Sequence, residues 1–177
     1  MDIEPLASQT LMADAFMKNQ PTYMATISAR RDEWLSDVAF SDDCVACTLY
    51  NEDTPNSKIR VCPFPSTFSQ TPVPFDSAEF TERFHLATFG KGMCKNRLFV
   101  ICQTNGTCKK ERPIYVRSFH IDVVNRKIYE LHRNCAYLEG MDNLPDVTAM
   151  HVSNDKLFVM LTNDQLNWCK INVYEQD

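Results

Sequence analysis

The chain has 177 residues, 44% hydrophobic and 23% charged, with a formal net charge of −5 and four glycines. That balance fits a single globular domain with enough apolar surface to build a core, and it excludes a low-complexity or intrinsically disordered chain. So few glycines argue against glycine-driven phosphate loops, and no stretch approaches the roughly 18 apolar residues of a membrane helix.

Charge is divided along the chain. Residues 1–90 hold 6 basic and 13 acidic groups, residues 91–133 hold 10 and 3, and residues 134–177 hold 2 and 7. A basic middle between acidic flanks suits either a polyanion or the flanks themselves. The opening Met1-Asp2-Ile3-Glu4-Pro5 lacks the basic and apolar regions of a secretory signal, so the expectation is a cytoplasmic or nuclear protein with its eight cysteines mainly reduced.

Residues 1–22 are expected to form an N-terminal segment. Leu11, Met12, Ala15 and Phe16 share one helical face, Ser8 or Thr10 can cap it, and Gln20-Pro21 ends it, which predicts a short amphipathic helix. Residues 23–177 read as a single β-rich domain. Tyr23 to Ser28 is a strand without a unit of its own.

A recurring pattern follows: a short strand, an Asn or Asp turn, a continuous apolar run and a third strand. The first copy, in about 23–62, has Asp37 to Phe40, the turn Ser41-Asp42-Asp43, the run Cys44 to Tyr50 and Lys58 to Cys62. The second, in 86–131, has Leu86 to Phe89, Arg97 to Cys102 and Tyr115 to Ile121, and it alone adds a fourth strand from Lys127 to Leu131. The third, in 144–177, has Val147 to Val152, Lys156 to Thr162 and Trp168 to Tyr174. Leu35-Ser36-Asp37-Val38 matches Leu144-Pro145-Asp146-Val147, and the turn residues Asp43, Asn96 and Asp155 lie 53 and 59 apart. An unbroken apolar run implies a strand covered on both faces.

Between the first two copies, the prolines of Pro63 to Phe75 forbid a central strand, leaving an extended loop with Phe64 and Phe68 as aromatic contacts and Thr71 as a proline-directed phosphorylation candidate. Asp76-Ser77-Ala78-Glu79 has the form of a capping box, predicting a helix from Ser77 to Phe84 that packs Phe80 and Phe84 on the sheet. Asn105-Gly106-Thr107 reads as a hairpin turn, Lys109-Lys110-Glu111-Arg112 as a solvated loop tip, and 132–143 as an irregular connection carrying Tyr137.

Repeats of this length with about four strands each resemble the blades of WD-repeat and kelch-like β-propellers, over roughly residues 23–177. The resemblance implies an all-β, mainly antiparallel fold of about three blade-like units with short N-terminal and inter-unit helices. It also implies that Tyr23 to Ser28 pairs near Cys169 to Tyr174 to complete the last unit.

Chemistry is sparse. Cys44 and Cys47 are three residues apart on a predicted strand and so face opposite ways, which reads as core rather than as a metal or redox pair. Cys108, His132 and Cys135, with Cys94, form the stronger metal candidate, though their spacing matches no zinc pattern. His132 and Cys135 are also the one Cys–His pair for nucleophilic catalysis, without further support. No Gly-x-Ser-x-Gly, His-Glu-x-x-His or Walker lysine loop is present. The expectation is a non-enzymatic protein–protein interaction or scaffold module without cofactor or metal and without membrane contact, using Lys109, Lys110, Arg112, Phe64, Phe68 and Tyr137 towards a protein partner or a second copy. The alternative is a nucleic-acid-binding protein using the basic segment 91–117.

Overall fold

The computed structural model describes residues 9–13, 22–27, 29–65, 72–104, 114–132, 146–153, 156–163 and 168–175. Their regular structure is antiparallel β throughout, apart from one 3-10 turn at Gly92–Cys94. Strands β1 (Gln9–Ala13) and β2 (Thr22–Ile27) form a two-stranded sheet. Sheet I runs β3 (Glu33–Phe40), β4 (Cys44–Asn51), β5 (Asn56–Pro63), β6 (Phe75–Asp76). Sheet II runs β7 (Arg83–Phe89), β8 (Arg97–Gln103), β9 (Ile114–Asp122), β10 (Lys127–His132), and sheet III runs β11 (Asp146–Ser153), β12 (Lys156–Asn163), β13 (Trp168–Glu175). Each is a meander of sequence neighbours.

The apolar runs explain the stacking. In β4, Cys44 and Ala46 enter the core shared with sheet II, whereas Val45, Cys47 and Leu49 enter a separate cluster on the far side of sheet I. In β8, Leu98, Val100 and Cys102 face sheet I, and Phe99 and Ile101 face sheet III, where they meet Val152, Leu157, Val159 and Leu161. The sheets therefore stack in chain order with an apolar layer between each pair. Their backbones approach along the first strands, β3 beside β7 and β7 beside β11, and the Ala87 amide donates to the Asp37 carboxylate at 2.8 Å across the first of these contacts.

Register makes the repeat explicit. Leu35 and Val38 pair with Leu49 and Cys47, Phe84 and Ala87 with Cys102 and Val100, and Val147 and Met150 with Leu161 and Val159. Three residues of the first strand thus span two of the second in every sheet, a β-bulge at one repeated place. Val45, Leu98 and Leu157 become equivalent, at the spacings of 53 and 59 expected from the turns. The match of Leu35 with Leu144 is corrected by three residues, since Leu35 takes the place of Val147.

As far as the described residues cover them, both predicted helices are strands or strand-like. Within the N-terminal stretch, 9–13 pairs with β2 through Gln9–Ile27 and Ala13–Thr22, because a hairpin partner satisfies the backbone that a short isolated helix leaves marginal. That pairing also places β2 on a different sheet from β13, removing the expected closure of the last unit by Tyr23 to Ser28. In 77–84, the Ser77 amide donates to the Ile59 carbonyl while the Ile59 amide donates to the Ser77 hydroxyl, and Phe80 and Ser57 exchange both of their backbone hydrogen bonds at 2.7 and 2.8 Å. The segment continues along the edge of β5, so sheet I also has a fourth strand. The two capping-box carboxylates are taken up elsewhere, Asp76 by Arg60 and Glu79 by Asn56. Phe80 and Phe84 nevertheless pack together, centroids 5.3 Å apart, with Phe119 at 5.5 Å from Phe80.

Phe119 is completely buried in the layer between sheets I and II. Phe119→Ala is expected to cost about 3–5 kcal/mol, whereas Val124→Ala, at a 90% exposed position, should stay within about 0.5 kcal/mol; urea unfolding of the two variants checks this.

Candidate functional site

Two ion clusters occupy equivalent places in sheets I and II. By register, Arg60 opposite Cys47 corresponds to Arg117 opposite Val100. Glu33, two residues before Leu35, corresponds to Glu82, two before Phe84. In sheet I, Asp76 of β6 takes Arg60 in a fork, Nε to Oδ1 and Nη2 to Oδ2, both at 2.8 Å. Glu33 of β3 receives Arg60 at 3.3 Å and pairs with Lys58. In sheet II, Arg117 pairs with Glu82 and, at 3.2 Å, with Glu130 of β10. The Tyr115 hydroxyl donates to Glu82 at 2.6 Å. Each cluster ties a first strand to a fourth across the sheet. The Arg117 Nε finds no partner in its buried position, in contrast to the fully engaged fork of Arg60.

Burial raises the pKa of Glu33, but the Arg30 amide, the Lys58 hydrogen bond and the charges of Arg60 and Lys58 outweigh it and hold the carboxyl below its ordinary 4.5. For Asp76 burial is likewise outweighed, here by Arg60 and then Lys58, and the carboxyl lies below 3.8. Such groups stabilise the fold above their unfolded values; as pH falls past those values the unfolded chain binds protons first, and the contribution is lost through the depressed folded pKa.

A polar depression of about 240 Å³ beside this cluster is lined by Arg30, Asp32, Glu33, Asn51, Lys58 and Glu79. Its charges are of both signs and several are already engaged: Glu33 pairs with Lys58 and accepts from the Arg30 backbone amide, and Asp32 accepts from the Asn51 side-chain amide. Among the described residues no cluster of three His, Cys, Asp or Glu side chains could hold a metal. Of the metal candidates, Cys108 and Cys135 lie outside the described residues, while Cys94 sits in the 3-10 turn and His132 ends β10.

Cys44 and Cys47 are divided between two cores, as their spacing implies. Burial lifts the Cys47 thiol to about 12 and raises Cys44, Cys62 and Cys102 as well. Cys169 of β13 is exposed.

Of the residues expected to meet a partner, Lys109, Lys110, Arg112, Phe68 and Tyr137 lie outside the described residues. Phe64 is half-buried against Val45, Cys47, Leu49 and Cys62 of its own sheet, its amide donating to the Asp43 carbonyl at 2.8 Å, so part of its ring is committed to packing.

The feature that sequence reading missed is the outward face of sheet III. Phe158, Met160, Ile171 and Val173 are equivalent by register to Phe99, Ile101, Val116 and Ser118 in sheet II and to Ala46, Thr48, Ile59 and Val61 in sheet I. In sheet I all four positions are sealed against sheet II, and in sheet II Phe99, Ile101 and Val116 are sealed against sheet III. In sheet III Ile171 is 59% and Val173 50% exposed, and Phe158 and Met160 are half-buried. Among the described residues no fourth strand pairs with β13. The available signal was the alternation of 168–174, whose outward residues are apolar. Comparison with protein-family models, curated proteins and solved structures gives no match.

Arg60→Met is expected to destabilise the protein by about 2 kcal/mol by removing the forked hydrogen bonds to Asp76 and leaving Lys58 as the cation shared by Glu33 and Asp76. It should also flatten the loss of stability between roughly pH 5 and pH 3, as read from urea midpoints across that range. Alkylation by iodoacetamide is expected at Cys169 well before Cys44, Cys47, Cys62 and Cys102, with mass spectrometry of the digested protein giving the order.

Proposed function

We propose that the chain is a non-enzymatic protein–protein interaction module, an open stack of three blade-like sheets that receives its partner on the outward face of sheet III. The observation that carries this is the set Phe158, Met160, Ile171 and Val173, apolar at positions that two preceding sheets bury against a following sheet. Exposed contiguous apolar surface on a folded protein marks a binding site. The chain-order stacking with close first strands supports the blade-like reading, and the two ion clusters are each engaged within their own sheet, so the recognition proposed here rests on shape and hydrophobicity. The basic middle of the chain is partly consumed in the same way, since Arg117 is paired with Glu82 and Glu130, and no observation favours the nucleic-acid alternative over this one.

A photo-crosslinking amino acid placed at position 171 in the producing cell is expected to give discrete protein adducts that the same group at Val124 does not. Equal labelling from both positions, or none from 171, would overturn the module reading.

A further inference from the structure

We infer that the outward face of sheet III is a two-fold interface and that its occupant is the same face of a second copy of this chain. The inference rests on the interaction-module reading and narrows it to one partner.

Three observations carry it. The first is continuity with the interfaces inside the chain. Sheets I and II each bury the equivalent of this face against an antiparallel sheet, Ile59 and Val61 in one case, Val116 and Phe99 in the other. The geometry needed to cover Ile171 and Val173 is therefore a β-sheet laid face to face, which a second copy supplies.

The second is chemistry. The centre of the face, Phe158, Met160, Ile171 and Val173 with Ala149 beside Met160, is apolar, with His151 beside Phe158 and Lys156 towards its end. The apolar centre offers a strongly charged partner little to recognise, while such a face is complementary to itself.

The third is closure. Head-to-tail stacking of copies needs the far side of sheet I to be free, and its centre is sealed: Val45, Cys47, Leu49 and Cys62 are at most 2% exposed, while Phe40, opposite Val45 at its end, is 57% exposed. The closed centre favours an isologous pair through sheet III, which closes at two. Three strands about 4.8 Å apart and eight residues long at about 3.3 Å each give a face of roughly 14 by 26 Å. Two such faces total about 730 Å² before side-chain relief, below the roughly 1,000 Å² lower bound of specific interfaces, so the dimer expected is weak and reversible, in the micromolar range or above it.

Sedimentation equilibrium of the purified full chain, from about 1 to 200 µM, covers the micromolar range. The expected result is a shift from the 20.4 kDa monomer to twice that mass and no further, with Ile171→Glu remaining monomeric and Val124→Glu behaving as wild type. Ile171 is already exposed, so the variant should keep the wild-type urea midpoint measured at 1 µM. A readout without substitution uses Cys169, which shares the outward face with Ile171: its alkylation should slow severalfold between 1 and 200 µM. A wild-type monomer at every concentration overturns the proposal, as does a dimer indifferent to Ile171→Glu or an alkylation rate independent of concentration. If crosslinking from position 171 then still yields adducts with other proteins, the module reading stands without the dimer; if it yields none, both fail.

Discussion

Water is kept from both faces of the middle strands β4 and β8, and the rest of the molecule follows from that constraint. From Leu98 to Cys102 no residue is more than 5% exposed, and Cys44 to Leu49 are buried without interruption. A strand sealed on both sides requires its ladder to be saturated by neighbours and a layer above and below. Meanders supply the first and stacking supplies the second, so the chain order of the sheets is a consequence of two apolar runs. The bulge repeated in β3, β7 and β11 lies where the first strands come together, and there the Asp37 carboxylate meets the Ala87 amide on the outer edge of β7.

The buried ion clusters belong to the same logic. Moving Lys58, Arg60 and Glu33 out of water is costly, and attraction between them offsets that cost only with good geometry and full hydrogen bonding. What they add most clearly is register. A slip of one residue in β5 would turn Arg60 into the layer where Ile59 and Val61 pack and turn those two residues outward. The forked contact with Asp76 also holds the two-residue strand β6, too short to persist on ladder bonds alone. Arg117 does the corresponding work between Glu82 and Glu130 less completely, since its Nε is unpaired while its guanidinium lies over the rings of Phe80 and Tyr115 at 5.1 and 5.6 Å.

Strands with long apolar runs or clean alternation were legible in the sequence: all ten predicted strands of the three repeated units are present, with ends shifted by a few residues. The two helices were not, and the reason is shared. Leu11, Met12, Ala15 and Phe16 satisfy a helical spacing, and Asp76 with Glu79 satisfies a capping box, but both patterns describe local preference. A neighbouring strand edge offered these backbones long-range partners, β2 in one case and β5 in the other, and tertiary pairing overrode the local signal. The ion clusters were illegible for a related reason. Glu33 and Arg60, or Glu82 and Arg117, are distant in sequence, and a meander must be threaded before the first strand is seen to lie two strands from the third. The repeat offset was misjudged by three residues because Leu-x-Asp-Val at 35–38 and 144–147 matches letter by letter, whereas the bulge positions define the true equivalence.

Sheet III departs from its predecessors in a way that is internally consistent. The position of Arg60 and Arg117 is held by Asn172, and no fourth strand among the described residues brings a carboxylate to it. An arginine there would lack the acid that Asp76 and Glu130 supply to the other two. The outward face shows the opposite behaviour, since Phe158, Met160, Ile171 and Val173 keep the apolar character of positions that are buried elsewhere, with no charged or strongly polar substitution to adapt them to water. Among the described residues sheet III keeps the packing face without the arginine clusters of the other two. On the proposed reading that face is matched to a neighbour that lies on it, and recognition is carried by the side chains of β12 and β13.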